Sequence, residues 1–143
     1  MIEIKNVSKK FGKLEVLKNV SVSCKSGQCI ALIGPNGCGK TTLIKSILGM
    51  VLPDEGSMEF NQKSIFGDYS YREKIGYMPQ IGRYPDTMTI GEIIEMVKKI
   101  RNSKNNLDED LFRDFEIEKM LNKQMRTLSG GTTQKISAVL AFL

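Results

Sequence analysis

One nonapeptide constrains this chain more than any other stretch: Gly34-Pro35-Asn36-Gly37-Cys38-Gly39-Lys40-Thr41-Thr42. It fits G-x-x-x-x-G-K-[ST], the spacing of a phosphate-cradling loop, with a second threonine behind it. Ahead of it lies Cys29-Ile30-Ala31-Leu32-Ile33, a short apolar run that predicts a fully buried strand. Behind it Leu43, Ile44, Ile47 and Leu48 recur at helical spacing up to Gly49, a residue suited to stopping a helix. The order strand, glycine loop, helix supplies the context that the pattern needs. A triphosphate crowds several negative charges together, so a loop that holds it must aim backbone N–H groups inward with few side chains in the way. Gly34, Gly37 and Gly39 permit that approach. The following helix turns its free amides and positive dipole end toward the same point. In such a loop Lys40 reaches the β- and γ-phosphates and the Thr41 hydroxyl ligates Mg²⁺.

The remaining chemistry is bounded by what the chain lacks. No apolar run approaches the roughly 20 residues of a membrane helix, and Met1-Ile2-Glu3-Ile4-Lys5 has no signal-peptide core. Cys24, Cys29 and Cys38 show neither metal-ligand spacing nor a disulfide framework, which fits a reducing, cytosolic compartment. The net charge is +5, but the lysines and arginines are dispersed, so the charge speaks for a solvated surface and an anionic ligand rather than for nucleic acid.

Along the chain, Ile2, Ile4 and Val7 predict an N-terminal strand, and Val20 and Val22 another after a turn within Lys9–Lys13. Pro53-Asp54-Glu55-Gly56 is a turn signal before a short strand at Ser57–Phe60, closed by Asn61-Gln62. Ile75-Gly76-Tyr77-Met78 is a further strand candidate, ending at Pro79-Gln80. Thr89-Ile90-Gly91-Glu92 has capping-box spacing, and Ile90, Ile93, Ile94 and Val97 then share one helical face, a stripe expected to pack in the core. Asn102–Asn106 reads as a polar loop, Asp108–Phe115 and Glu118–Asn122 as short helices. Leu128-Ser129-Gly130-Gly131 opens a last helix in which Ile136, Val139, Leu140 and Leu143 keep the helical period.

With the loop, a glutamine after a strand, and Leu-Ser-Gly-Gly in this order, the chain resembles the ATP-binding cassette family over essentially its whole length. Leu128–Gly131, continuing as Thr132-Thr133-Gln134-Lys135, looks like the family signature, with Thr132 where the commonest form has Gln. The resemblance implies an α/β fold: a P-loop NTPase core, an antiparallel β subdomain, and a small helical subdomain spanning about residues 81–130. It implies a nucleotide site of Phe11 and Gly34, Pro35, Asn36, Gly37, Cys38, Gly39, Lys40, Thr41 and Thr42, with Mg²⁺ held at Thr41 and Gln80. Lys40 and Gln80 would take part in catalysis. Phe11 would stack on the adenine, although an aromatic at that place is by itself a candidate for the core. Ser129, Gly130 and Gly131 would cap ATP held by the loop of a second nucleotide-binding subunit, in a head-to-tail dimer. Read alone, Ser129 is an ordinary N-cap.

The family places a strand ending in Asp-Glu after the signature helix, and a later histidine. Neither is found in these 143 residues, which contain no His, so residues 1–143 are expected to be the N-terminal part of a longer cassette. The chain as it stands would then bind ATP without turning it over. The function implied is that of the ATP-binding subunit of a membrane transporter, peripheral on the inner face of the cell membrane beside permease subunits. A soluble cassette protein acting on the ribosome or DNA is the alternative. DNA-repair relatives insert a long coiled coil between loop and signature, and only one modest segment joins Lys40 to Ser129 here. A GTPase would need Asn-Lys-x-Asp, and Asn122-Lys123-Gln124-Met125 lacks the Asp.

Overall fold

The computed structural model describes residues 1–101 and 109–143. They divide into two compact units, Met1–Arg72 and Glu73–Leu143. Among the described residues no helix is long and apolar enough to cross a membrane.

The first unit is built on an antiparallel sheet of β1 (Ile2–Phe11), β2 (Leu14–Cys24), β3 (Glu55–Phe60) and the two-residue β4 (Lys63–Ser64), in the order β2-β1-β3-β4. Ile4 faces Val22 on one side and Met58 on the other. Ile4, Val7, Leu17 and Met58 are all at most 3% exposed. Strict alternation would send Ile4 and Val7 to opposite faces, since they are three residues apart. The register shifts between them instead, with Asn6 at φ 53° and Asn19 of β2 at φ 47°. The Asn6 N–H donates to Ser21 Oγ (2.9 Å) and the Asn19 N–H to Ser8 Oγ (3.1 Å), so hydroxyls satisfy amides that the broken ladder leaves over. Gly56 meets this irregularity: a Cβ there would lie 2.5 Å from the carbonyl oxygens of Lys5 and Asn6.

α1 (Lys40–Ile47) follows the glycine loop and ends as its sequence predicts. Gly49 has φ 66°, its N–H donates to the Ser46 carbonyl, and the Met50 N–H donates to the Lys45 carbonyl. These are the two bonds of a Schellman stop. Tyr71 Oη and Arg72 Nη2 donate to the carbonyls of Ile47 and Gly49, at 2.8 and 2.9 Å.

Two expected strands are not formed. Cys29–Ile33 carries no ladder, and Ile30, Leu32 and Ile33 are 49, 46 and 89% exposed. Ile75–Met78, in the second unit, is likewise without strand pairing. An apolar run of this kind is a strand only when neighbours satisfy its backbone on both sides and cover both faces. Among the described residues the four strands pair only among themselves.

The second unit is helical: α2 (Ile90–Ile100), α3 (Glu109–Asp114) and α4 (Gly130–Phe142), with 3₁₀ turns at Ile117–Met120 and Met125–Thr127. The expected helix over Asp108–Phe115 is α3, ending at Asp114, with Asp108 outside the described residues. The expected 118–122 helix is the 3₁₀ turn Ile117–Met120, and the polar loop at 102–106 also lies outside the described residues. The Thr89 hydroxyl accepts from the Glu92 N–H (3.2 Å) while the Glu92 carboxylate accepts from the Thr89 N–H (2.7 Å), closing the capping box. The two orphan amides at the start of α2 find carbonyls: Ile90 N–H donates to Lys123 and Gly91 N–H to Leu121. Ile90, Ile93 and Ile94 join Ile117, Met125, Ile136, Val139 and Leu140 in one buried cluster, so the isoleucine stripe packs as the periodicity predicts.

Candidate functional site

The phosphate-loop sequence takes an open, exposed conformation from Gly34 to Cys38 and closes onto α1 through Gly39, which is buried with φ 95°. A Cβ at Gly39 would lie 2.6 Å from the Val16 carbonyl oxygen, so only glycine lets the loop press against β2. Sequence reasoning did not single out Val16, because a backbone contact leaves no residue-type signal. Gly39 caps α1 without a side-chain hydrogen bond, and the first turn holds no acidic residue. The amides of that turn are free to face an anion, with the helix dipole behind them.

Lys40 Nζ donates to the carbonyls of Gly34 (2.7 Å) and Pro35 (2.8 Å), with Cys38 Sγ at 3.7 Å. The ammonium therefore spans the mouth of the loop. Cys38 Sγ lies over Gly34, where an added Cβ would stand 2.7 Å from the sulfur. Thr41 is exposed and Thr42 half-buried at the start of the helix. A triphosphate fits this donor set: amides, an ammonium and a hydroxyl, with no carboxylate in the loop to oppose it.

Phe11 ends β1 at the hairpin turn and is 50% exposed, so it is not a core residue. Lys9 Nζ lies 5.4 Å over its ring centroid. Val16 and Leu17, on the other arm of this hairpin, are the residues that a Cβ on Gly39 would meet, at 2.6 and 3.0 Å, which ties the hairpin to the loop.

Gln80, Ser129, Gly130 and Gly131 belong to the second unit. Gln80 is exposed, on a segment laid along α4. A Cβ on Gly82 would meet Ser137 Oγ at 2.5 Å, and Tyr84 Oη donates to the same oxygen at 2.8 Å. Ser129 caps α4, its hydroxyl accepting from the Thr132 N–H at 3.3 Å. Gly130 and Gly131 are exposed, have no positive φ, and an added Cβ would meet nothing within 4 Å. Nothing inside the described chain requires glycine there. Asn122–Met125 is accounted for structurally, through the Lys123 carbonyl at the start of α2 and the 7% exposed Met125 in the core. Among the described residues there is no group of three or more side chains able to hold a metal by themselves.

An antiparallel sheet beside a phosphate loop, with a helical unit carrying a second glycine-led helix start, is the arrangement of ATP-binding cassettes. The chain belongs to the ABC transporter family, matching it over residues 17–143. It is 31% identical over 150 residues to the sulfate/thiosulfate import ATP-binding protein CysA of Pectobacterium atrosepticum, covering 99% of this chain and 46% of that protein. The CysA of Pseudomonas syringae pv. tomato is 30% identical, with 98% and 45% covered. The chain thus spans about half the length of these curated relatives. A solved ATP-binding subunit of an ABC transporter superposes with a TM-score of 0.86 at 28% identity, over 97% of this chain and 60% of that one. A putative ABC transporter ATP-binding protein from Pyrococcus furiosus gives 0.79 at 25%, over 97% and 68%. An ATP-binding cassette solved as a dimer with ADP and Pi shares the fold, at a TM-score of 0.78 and 24% identity over 99% and 68%.

Proposed function

We propose that this chain binds Mg-ATP as part of the nucleotide-binding subunit of an ABC transporter, and that ATP binding there is coupled to transport. The observation that carries this is the uncapped start of α1 behind Gly39, with the Lys40 ammonium held across the loop mouth. In this reading Gly34, Pro35, Asn36, Gly37, Cys38, Gly39, Lys40, Thr41 and Thr42 wrap the phosphates, Lys40 exchanging carbonyl partners for phosphate oxygens. Phe11 receives the adenine. The Thr41 hydroxyl would offer a ligand to Mg²⁺, which would neutralise phosphate charge when bound.

Ser129, Gly130 and Gly131 are exposed at the start of α4; the Ser129 hydroxyl is shared with Thr132, and an added Cβ on either glycine would meet nothing within 4 Å among the described residues. That supports a second nucleotide-binding subunit, whose ATP would approach these bare glycines in a head-to-tail pair. Permease subunits are the other partner, and they would select the substrate. Relatives that serve import support that direction. The protein would then sit on the cytoplasmic face of the membrane.

The test is Lys40→Ala. It removes a charge-assisted contact of about 1.5–3 kcal/mol, or roughly 10- to 150-fold in affinity. Unchanged Mg-ATP affinity by calorimetry on folded variant would refute the assignment. Ser129→Ala should leave monomer binding nearly untouched and weaken only ATP-driven dimerisation, read by sedimentation.

A further inference from the structure

The phosphate loop accounts for the triphosphate, but a base platform at a hairpin tip needs its own support. Phe11 is the last residue of β1 and half its surface is open. An aromatic in that position is free to turn, and a ligand that stacks on it must first immobilise it, which weakens binding. The turn before β3 supplies what would hold it. Asp54 Oδ1 accepts from Lys9 Nζ at 2.7 Å, while Asp54 Oδ2 accepts from the backbone N–H of Lys10 at 2.7 Å. The Asp54 N–H in turn donates to the Ser8 carbonyl at 2.9 Å. One carboxylate thus grips β1 at the two residues ahead of Phe11, and its own backbone is tied to the residue before those.

Lys9 is the consequential partner. Its side chain is only 16% exposed, and its ammonium stands over the Phe11 ring. An exposed ion pair alone contributes little. Here a third group is engaged: the ammonium occupies one face of the ring and leaves the other for a ligand. A cation on one face also draws electron density from it, which favours an electron-rich purine on the opposite face.

We infer that Asp54 is a positioning residue for the nucleotide base, holding Lys9 over Phe11 so that the ring offers one fixed, polarised face. This rests on the reading of Phe11 as the base platform. The Pro53-Asp54-Glu55-Gly56 stretch advertises only a turn in the sequence; the link to Phe11 exists only in the folded chain.

The experiment compares a ligand that has a base with one that does not. Mg-ATP and inorganic tripolyphosphate are titrated calorimetrically into the full chain and into Asp54→Asn, Lys9→Gln and Phe11→Ala. Asp54→Asn and Lys9→Gln should each weaken ATP by about two- to fivefold, the size of an exposed cation–π contact. Tripolyphosphate affinity should stay the same in both. Adding Asp54→Asn to Phe11→Ala should cost nothing further, because the ring it serves is gone. Unchanged ATP affinity in Asp54→Asn and Lys9→Gln overturns the inference, as does equal weakening of the two ligands. Tripolyphosphate binding that ignores Lys40→Ala would instead overturn the nucleotide site itself.

Discussion

Cys38 shows how a single side chain is placed by the loop it belongs to. Its sulfur fills the space that a side chain on Gly34 would need, and it lies 3.7 Å from the Lys40 ammonium. The residue is exposed, so a reagent can reach it in the free protein. Phosphate bound by the surrounding amides would take up that same space. Brief alkylation followed by peptide mass mapping should therefore label Cys38 in the free chain and leave it protected by Mg-ATP. Cys29 was expected in a buried strand but is exposed, so it should label with or without nucleotide and serve as the internal control. Cys24, half-buried at the end of β2, should react more slowly. Equal labelling of Cys38 in both conditions would show that its thiol does not report on the phosphate site.

At the scale of elements, α2 is the clearest case of local sequence deciding local structure. Replacing Thr89 by Ala removes the cap and should cost about 1 kcal/mol of stability, read in denaturant melts. Its partner adds a pH dependence. Hydrogen bonds from the Thr89 N–H and hydroxyl hold the Glu92 carboxyl below the ordinary glutamate range. A pKa depressed by folding contributes stability that is complete above the unfolded value and lost as pH falls through the folded one. Glu92→Gln should therefore be less stable than the native chain near neutrality, with the gap closing below about pH 4. A gap that persists in acid would assign the effect to shape rather than charge. This box was legible because all its groups lie within four residues, and so was the Gly49 stop of α1. Cys29–Ile33 was misread for the opposite reason: whether an apolar pentapeptide is a strand depends on partners elsewhere in the chain, which its own pattern does not specify. The bulge at Asn6 was also hidden, since it depends on Asn19, Ser21 and Gly56 arriving together. The loop glycines and Lys40 could be read directly, whereas the Lys9–Asp54 support and the Val16 contact could not, being tertiary.

For the molecule as a whole, binding and turnover should separate. The groups proposed to hold a triphosphate are present: a loop of amides, Lys40, Thr41, and the exposed ring of Phe11. Hydrolysis requires in addition a group that orients and polarises the attacking water. In this sequence no Asp or Glu follows Glu118, and there is no histidine anywhere. Gln80 can position a water but is neutral and cannot accept its proton. The run at Cys29–Ile33, which feeds directly into the loop, is exposed and has no strand partner among the described residues, so no ladder stiffens the approach to Gly34 from that side. Positioning within fractions of an ångström is what converts a bound phosphate into a reacting one. The purified 143-residue chain should therefore bind Mg-ATP in a Lys40-dependent manner while releasing no phosphate above background in a continuous phosphate assay. Steady release that disappears in Lys40→Ala would mean that these residues already contain the whole catalytic apparatus, and would transfer the role of base to a group among them.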